Sequence, residues 1–486
     1  MGNLSNLGLT VKKEEDFLEW YNELIRKAEL ADVRYNIKGF PVYRPWSAIT
    51  MKRMFAMYEK ALEEKGHLPL FFPSLIPEGN LKKEAEHVAG FVPEVFWVTQ
   101  HGDKEPLDEP LALRPTSETA FYQMYSLWVR SYKDLPLKCY QSNPVWRYET
   151  KATKPFFRVR EIYWIEAHDA FATEEEAKTQ VLEDMKTTEE ILLKEFAIPF
   201  IFFQRPEWDK FAGAVNTFAA DAIMPSGKVS QLPSTHFLGQ NFSKAFDVKF
   251  TDKDKKEKYA YITCYGPAII RIYGAMISIH SDNKGLVMPF ALAPKQIVIV
   301  PILFEETKKK VLKKCEDISQ KLGGYNTFVD AREATPGAKF NEWELKGVPI
   351  RLEIGPKDMA KNRVTIFRRD LNKKFSVKEK NLLQEIKQIA GTFTGNLLER
   401  AQKNFKSCIV KAGTKEELRK TIESRKIAIT NFCSIDKAGE KCAEVIEKEI
   451  QAMVRGKRVD KIERAEGSCV ICGKKASEVV YIARSL

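Results

Sequence analysis

The sequence predicts a multidomain α/β protein: an antiparallel sheet flanked by helices, then a separate α/β unit, then a small cysteine-bearing α+β unit. Three observations lead there. At 486 residues the chain exceeds what one compact core usually holds, so two to four domains are expected. Between residues 111 and 285 strand-like runs follow one another without regular helix alternation, which suits an antiparallel sheet. From 291–295 onwards the pattern changes to regular β-α-β alternation. We therefore expect domains at 1–290, 291–395 and 396–486.

Taken in order, MKRMFAMYEKALEEKG places Met51, Met54, Phe55, Tyr58 and Leu62 on one helical face. LPLFFPSLIP follows and reads as a buried strand ended by proline. YQSNPVWRYE, REIYWIEAHDAF, KVSQLPSTHFLGQ and YAYITCYG are the core strands, interrupted by the helical TEEEAKTQVLEDMKTTEEILLKEF. QIVIVPILF, a helix ending near Gly323, YNTFVDAR and VPIRLEIG form the second unit, and a long polar helix spans 382–406.

Composition excludes some classes. Hydrophobic residues make up 44% and charged residues 30%, and no apolar run approaches the ~18 residues a membrane span needs. The first twenty residues lack an apolar secretory core, so a cytoplasmic protein is expected. Eight cysteines in such a chain point to thiols or metal rather than disulfides. The net charge of +12 suits a polyanionic partner, although surface lysine for solubility gives the same sum.

Two segments carry recognisable chemistry. WRYETKATKPFFRVREIYW sets Arg147 and Glu149 before a loop and Arg158 and Arg160 after it. An arginine fork there can hold a phosphate and a carboxylate together, whereas a lone R-x-E is equally a cross-strand surface pair. YGPAIIRIYGAMISIHSDNKGL puts Arg271 near the start of an apolar helix, where a nucleotide contact and an interhelical ion pair are alternatives. Together with the helix running into Pro73, these segments resemble the three signature motifs of class II aminoacyl-tRNA synthetases. LALRPTSETAFYQMY, EAHDAF and HFLGQNFSKAF narrow the resemblance to prolyl-tRNA synthetases of the archaeal and eukaryotic type, over nearly the whole chain from Phe17.

The resemblance implies an ATP-dependent ligase that makes prolyl-adenylate and passes the prolyl group to tRNA(Pro), working as a homodimer with Mg2+ and ATP. It implies Arg147, Glu149 and Arg271 as catalytic residues, and Phe91, Thr116, Glu118, Arg147, Trp164, Glu166 and His168 around proline. Arg147, Glu149, Arg158, Arg160, Gln231, Ser234 and Arg271 are the implied ATP contacts. A secondary ammonium on an apolar ring does call for a carboxylate and hydroxyl beside aromatic walls. The segment from DAREATPG to RRD resembles the class IIa anticodon-binding domain, making Glu344, Lys346, Arg351, Glu353, Lys357, Asp358 and Arg368 candidates for reading guanines. Cys433-x8-Cys442 and Cys469-x2-Cys472 form a candidate four-thiolate Zn2+ site, with free thiols as the alternative.

Departures from the family pattern bear on detail. The stretch from Gly266 to Arg271 is one residue longer than usual and contains Pro267; Ser234, Ala212 and Val159 replace commoner residues; the final residue is Leu486 rather than tyrosine. They keep open a paralogue that activates a proline analogue for another acceptor, and a catalytically silent tRNA-binding regulator. About 110 residues separate Glu161 from Arg271, too few for the editing insertion of bacterial-type members.

Overall fold

The computed structural model describes residues 8–87 and 94–486. Asp16 caps the Phe17–Lys27 helix by accepting from the Leu18 and Glu19 N–H groups at 2.9 and 3.0 Å, and Trp20, Tyr21 and Leu24 are buried from it. The Pro45–Glu63 helix starts on proline, which lacks an N–H the first turn cannot use, and buries Met51, Met54, Tyr58 and Leu62 as the spacing predicts.

The segment after it differs from expectation. LPLFFPSLIP forms only the short strands Leu68–Pro69 and Leu75–Pro77, and Phe71 is 85% exposed. Pro69 and Pro73 cannot donate to a ladder; Leu70 and Phe72 turn inward, Phe72 onto Phe121 at 4.4 Å, while nothing among the described residues covers Phe71.

Among the described residues, eleven strands form one sheet. From one edge it runs Leu68–Pro69, Leu137–Trp146, Glu161–Phe171, Tyr261–Gly266, Lys228–Gly239, Asn216–Ile223 and Ile201–Gln204. It continues into Met453–Arg458, Glu478–Ser485, Ile427–Phe432 and Ile409–Lys411. The last segment of the chain thus extends the sheet of the first: Lys457 pairs with Gln204, and Lys228 with Arg484. Register aligns one row across five strands, Cys139, His168, Cys264, His236 and Thr217, and this row builds the site below. Thr173 and Glu176 close a capping box on the Glu174–Glu189 helix, which packs on the sheet, as does the buried Ile269–His280 helix.

The second unit has a five-stranded sheet ordered Thr327–Val329, Ile297–Pro301, Ile350–Ile354, Arg363–Arg368, Lys373–Lys378. The first three strands are parallel, as β-α-β alternation requires, and the last two antiparallel. The Leu382–Ser407 helix packs Ile386, Ile389, Phe393 and Leu397 into this unit's core and runs through position 395 without a break. Arg369 ties the unit to the first by a forked pair with Asp282 at 2.5 and 2.7 Å.

Candidate active site

Period-two alternation on the Glu161–Phe171 strand turns Trp164, Glu166 and His168 to one face, where they line a cavity of about 220 Å³. Thr116 and Glu118 enter at the start of the Glu118–Trp128 helix, and the Thr116 hydroxyl donates to Glu118. Glu166 is held from three sides: by Ser117, by Gln141 Nε2 at 2.8 Å, and by His168 Nε2 at 3.3 Å. Tyr122 meets the other imidazole nitrogen of His168 at 2.9 Å.

Burial pushes Glu166 up, but the hydrogen bond and charge of His168, with Ser117 and Arg114, hold it below the usual carboxylate range. His168 shifts the opposite way: burial lowers it, and Glu166 and Glu118 raise it above an ordinary histidine. The two form a buried ion pair. Glu118, only 3% exposed, lines the cavity and forms no ion pair among the described residues. Beyond it His236 is held neutral, pushed down to about 3 by burial and by the charges of His168 and Arg205. It meets Thr217 at 2.9 Å and Ser234 at 3.1 Å.

A larger cleft of about 830 Å³ adjoins this cavity, and Arg147, Gln231 and Arg271 line both. Arg147 donates through Nε to the Pro115 carbonyl at 3.0 Å and lies 5.7 Å from the Trp164 ring centre, leaving the rest of its fork open. Arg271, in the first turn of its helix, donates to the Gln231 carbonyl at 3.3 Å. Burial lowers Arg271 to about 10, with the nearby charges of Arg147 and Arg158 adding to the effect. Neither Arg147 nor Arg271 forms an ion pair among the described residues. Arg147, Lys154, Arg158, Lys228 and Arg271 converge on the cleft and outnumber the acids Glu94, Glu149 and Asp209 on its wall, which makes a polyanion site.

Glu149 accepts from Lys151 N–H at 2.8 Å and lies 3.7 Å from Arg158, which also donates to the Leu486 carbonyl at 3.0 Å. Arg160 lines neither cavity. It donates twice to the Glu149 carbonyl, at 3.0 and 3.1 Å, and stacks on Tyr148 at 4.2 Å, so it clamps the turn that carries Arg147 and Glu149. Gly39 has φ +85°, and a Cβ there would sit 2.8 Å from this clamp. Phe91 lies outside the described residues.

Sequence reading missed several members. Ser117, the N-cap between Thr116 and Glu118, sits inside a motif without standing out, and Gln141, His236 and Cys264 join the site only through strand register. Lys154, inside WRYETKATKPFFRVREIYW, also lines the cleft, its ammonium 4.5 Å from the Tyr21 ring and pushed down to about 8 by burial and by Lys228.

In the second unit most candidate base readers are already paired. Arg351, 5% exposed, sits between the Phe340 and Phe367 rings at 4.0 and 4.4 Å, and contacts Glu344 at 2.8 Å and Glu353 at 3.1 Å. Arg368 forks onto Asp370, Lys346 meets Glu342 and Glu29, and Asp358 caps Gly355 N–H at 3.1 Å. Lys357 is exposed and forms no ion pair among the described residues. In the last segment the sulfurs of Cys433, Cys442, Cys469 and Cys472 all lie within 4.8 Å of one another, and none is in a disulfide.

Family models match in the same order: the tRNA synthetase class II core domain (G, H, P, S and T) over 96–280, an anticodon binding domain over 296–389, and the prolyl-tRNA synthetase C-terminal domain over 415–486. A proline–tRNA ligase of Thermofilum pendens is 50% identical over 99% of this chain and 100% of its own length. The chain belongs to the prolyl-tRNA synthetases. The Methanosarcina mazei proline–tRNA ligase is 42% identical over 97% of each chain. Among solved structures, the Giardia lamblia prolyl-tRNA synthetase in complex with prolyl-adenylate superposes with a TM-score of 0.95 at 35% identity, covering 99% of this chain and 100% of that one. The prolyl-tRNA synthetase of Cryptosporidium parvum with halofuginone and AMPPNP gives 0.92 at 34% identity, with 99% and 100% covered. This chain therefore has the class II synthetase fold and is a ligase of that family.

Proposed function

We propose that this synthetase activates L-proline with ATP and transfers the prolyl group to the 3′ end of tRNA(Pro). The carrying observation is that a small cavity holding Glu118, a carboxylate with no ion pair among the described residues, and a large cationic cleft share Arg147, Gln231 and Arg271. Glu118 and Thr116 suit the secondary ammonium, and Trp164 walls the ring, its indole edge against Gly266. The substrate carboxylate then points at the boundary, where the Arg147 fork holds it against the α-phosphorus for in-line attack. Arg271, Arg158 and Lys154 spread charge over the phosphates, and Glu149 is placed for the adenine amino group. Mg2+ arrives with ATP, carrying mostly phosphate and water ligands. No side chain is required as nucleophile.

Three further assignments complete the proposal. Four sulfurs within 4.8 Å suit Zn2+, whose bonds of about 2.3 Å put tetrahedral sulfurs about 3.8 Å apart. The exposed Phe71 and Leu68, with the apolar groove of Tyr35, Phe40 and Phe55, suit a second copy of the chain, giving a homodimer. The 291–395 unit reads the anticodon, with Lys357 the candidate cation that forms no ion pair among the described residues. No helix among the described residues is long and apolar enough to cross a membrane, in keeping with a cytoplasmic enzyme. Proline-dependent ATP–pyrophosphate exchange tests the core of this reading. Robust exchange with proline is expected; silence with every amino acid, from folded protein, would return the chain to the regulatory alternative, and preference for a proline analogue to the paralogue.

A further inference from the structure

Asp221, on the Asn216–Ile223 strand, is gripped by two arginines. Arg205 reaches its oxygens at 2.7 and 3.1 Å, and Arg455 at 2.7 and 3.2 Å. Exposures are 1% for Asp221, 3% for Arg205 and 4% for Arg455. Arg205 also donates to the Arg455 carbonyl at 2.8 Å and to the Gln231 side-chain oxygen at 2.9 Å. The Gln231 carbonyl in turn accepts from Arg271 at 3.3 Å. A line of hydrogen bonds, joined inside Gln231 by its own side chain and backbone, therefore runs from the last segment of the chain to Arg271 at the boundary of the two cavities.

The same lobe holds the neighbouring loop: Glu207 N–H donates to the Ile435 carbonyl at 2.9 Å, and Trp208 packs into the lobe's core. Asp209, next along, lines both cavities. Stability alone explains such a trio poorly, because apolar replacements of buried ion groups often match or exceed them; geometry explains it better.

We infer that Arg455 is a positioning residue for the adenylation site, acting through Asp221 and Arg205 to fix Gln231 and, with it, Arg271 over the phosphates. The last segment is thereby a working part of the active site. This rests on the nucleotide role of Gln231 and Arg271 proposed above.

The test measures KM for ATP and kcat in proline-dependent pyrophosphate exchange for Arg455→Met, alone and with Gln231→Ala. Arg455→Met should raise KM for ATP about tenfold with kcat changed less than about threefold, and by less than about twofold once Gln231 is alanine, since the two act in one line. An unchanged KM, whatever happens to kcat, overturns the proposal, as does an equal effect in both backgrounds. Should Arg455→Met not fold, Arg455→Lys, which keeps the charge and loses the fork, takes its place with the same expected KM rise; failure of both to fold makes Arg455 purely structural and overturns it too. Calorimetric ATP binding needs no turnover. Absence of proline-dependent exchange in the unaltered chain would sink the functional reading and leave the calorimetry to decide this one.

Discussion

His168 Nε2 lies 3.3 Å from Glu166 Oε2 in full burial, and each holds the other charged. With Glu166 engaged by His168 and Asp209 beside Arg205, Glu118 is the carboxylate of the small cavity that forms no ion pair among the described residues. An ammonium entering there has that carboxylate to pair with.

Glu118→Gln keeps the shape and removes that charge. Proline should then bind with a KM at least about 30-fold higher, the cost of roughly 2 kcal/mol for a lost charged hydrogen bond. Steady-state exchange kinetics against proline concentration check it; a KM within a factor of about two would show that Glu118 does not pair the ammonium.

Arg147→Lys should abolish adenylate formation, at least about 100-fold in kcat/KM, without moving the melting temperature, because a point charge cannot fork onto two anions. Arg160→Lys should lose activity with a looser turn instead, since Arg160 holds the Glu149 carbonyl. Faster amide exchange at 147–149 in the second variant alone would separate the two roles.

Burial and the Asp169 charge raise the Asp184 carboxyl from 3.8 to about 7, although Gln180 and Thr235 donate to it at 2.7 and 2.8 Å. The folded chain thus holds a proton there that the unfolded chain has released, and stability falls as pH climbs from about 4 to about 7, then levels. Asp184→Asn removes this loss. Urea unfolding should find the variant about 1–3 kcal/mol more stable than its parent at pH 8, with the difference shrinking towards pH 5. A difference independent of pH would refute the shift.

Cys469→Ser should release one zinc per chain and loosen the 409–485 strands. Elemental analysis of protein purified without chelator checks it, and finding no metal in the unaltered chain would remove the site.

Arg351→Ala removes the cation that Glu344 and Glu353 share, leaving them Lys284 and Lys374, and empties the space between two rings, so the second unit should lose about 1–3 kcal/mol of stability. Lys357→Ala should leave stability alone and weaken tRNA charging, with pyrophosphate exchange kept in both. If Arg351→Ala were as stable as the parent yet failed to charge tRNA, Arg351 would be a direct reader.

How much of this was legible in the sequence depended on how locally it was encoded. Trp164, Glu166 and His168 alternate along one strand and Thr116 and Glu118 straddle one helix start, so short segments sufficed. Gln141, His236 and Cys264 reach the site through a register that spans five strands, which no window of sequence displays. Burial was harder still. LPLFFPSLIP looks like core, yet Phe71 lies in the open, because apolarity alone does not say whether the cover comes from the same chain. In the second unit the sequence displays charges but not their partners, and it is the pairing of Arg351 and Arg368 that separates them from Lys357.

The continuous sheet also sets a timetable. Asp221 leaves the ribosome 234 positions before Arg455, roughly 10–50 s at common elongation rates. Throughout that interval the Ile201–Gln204 strand has an unpaired edge and Asp221 has one of its two arginines. A newly made chain can hold much of its core and still lack a finished active site, and during that wait the open edge is the place for a chaperone to bind or for two nascent chains to stick together.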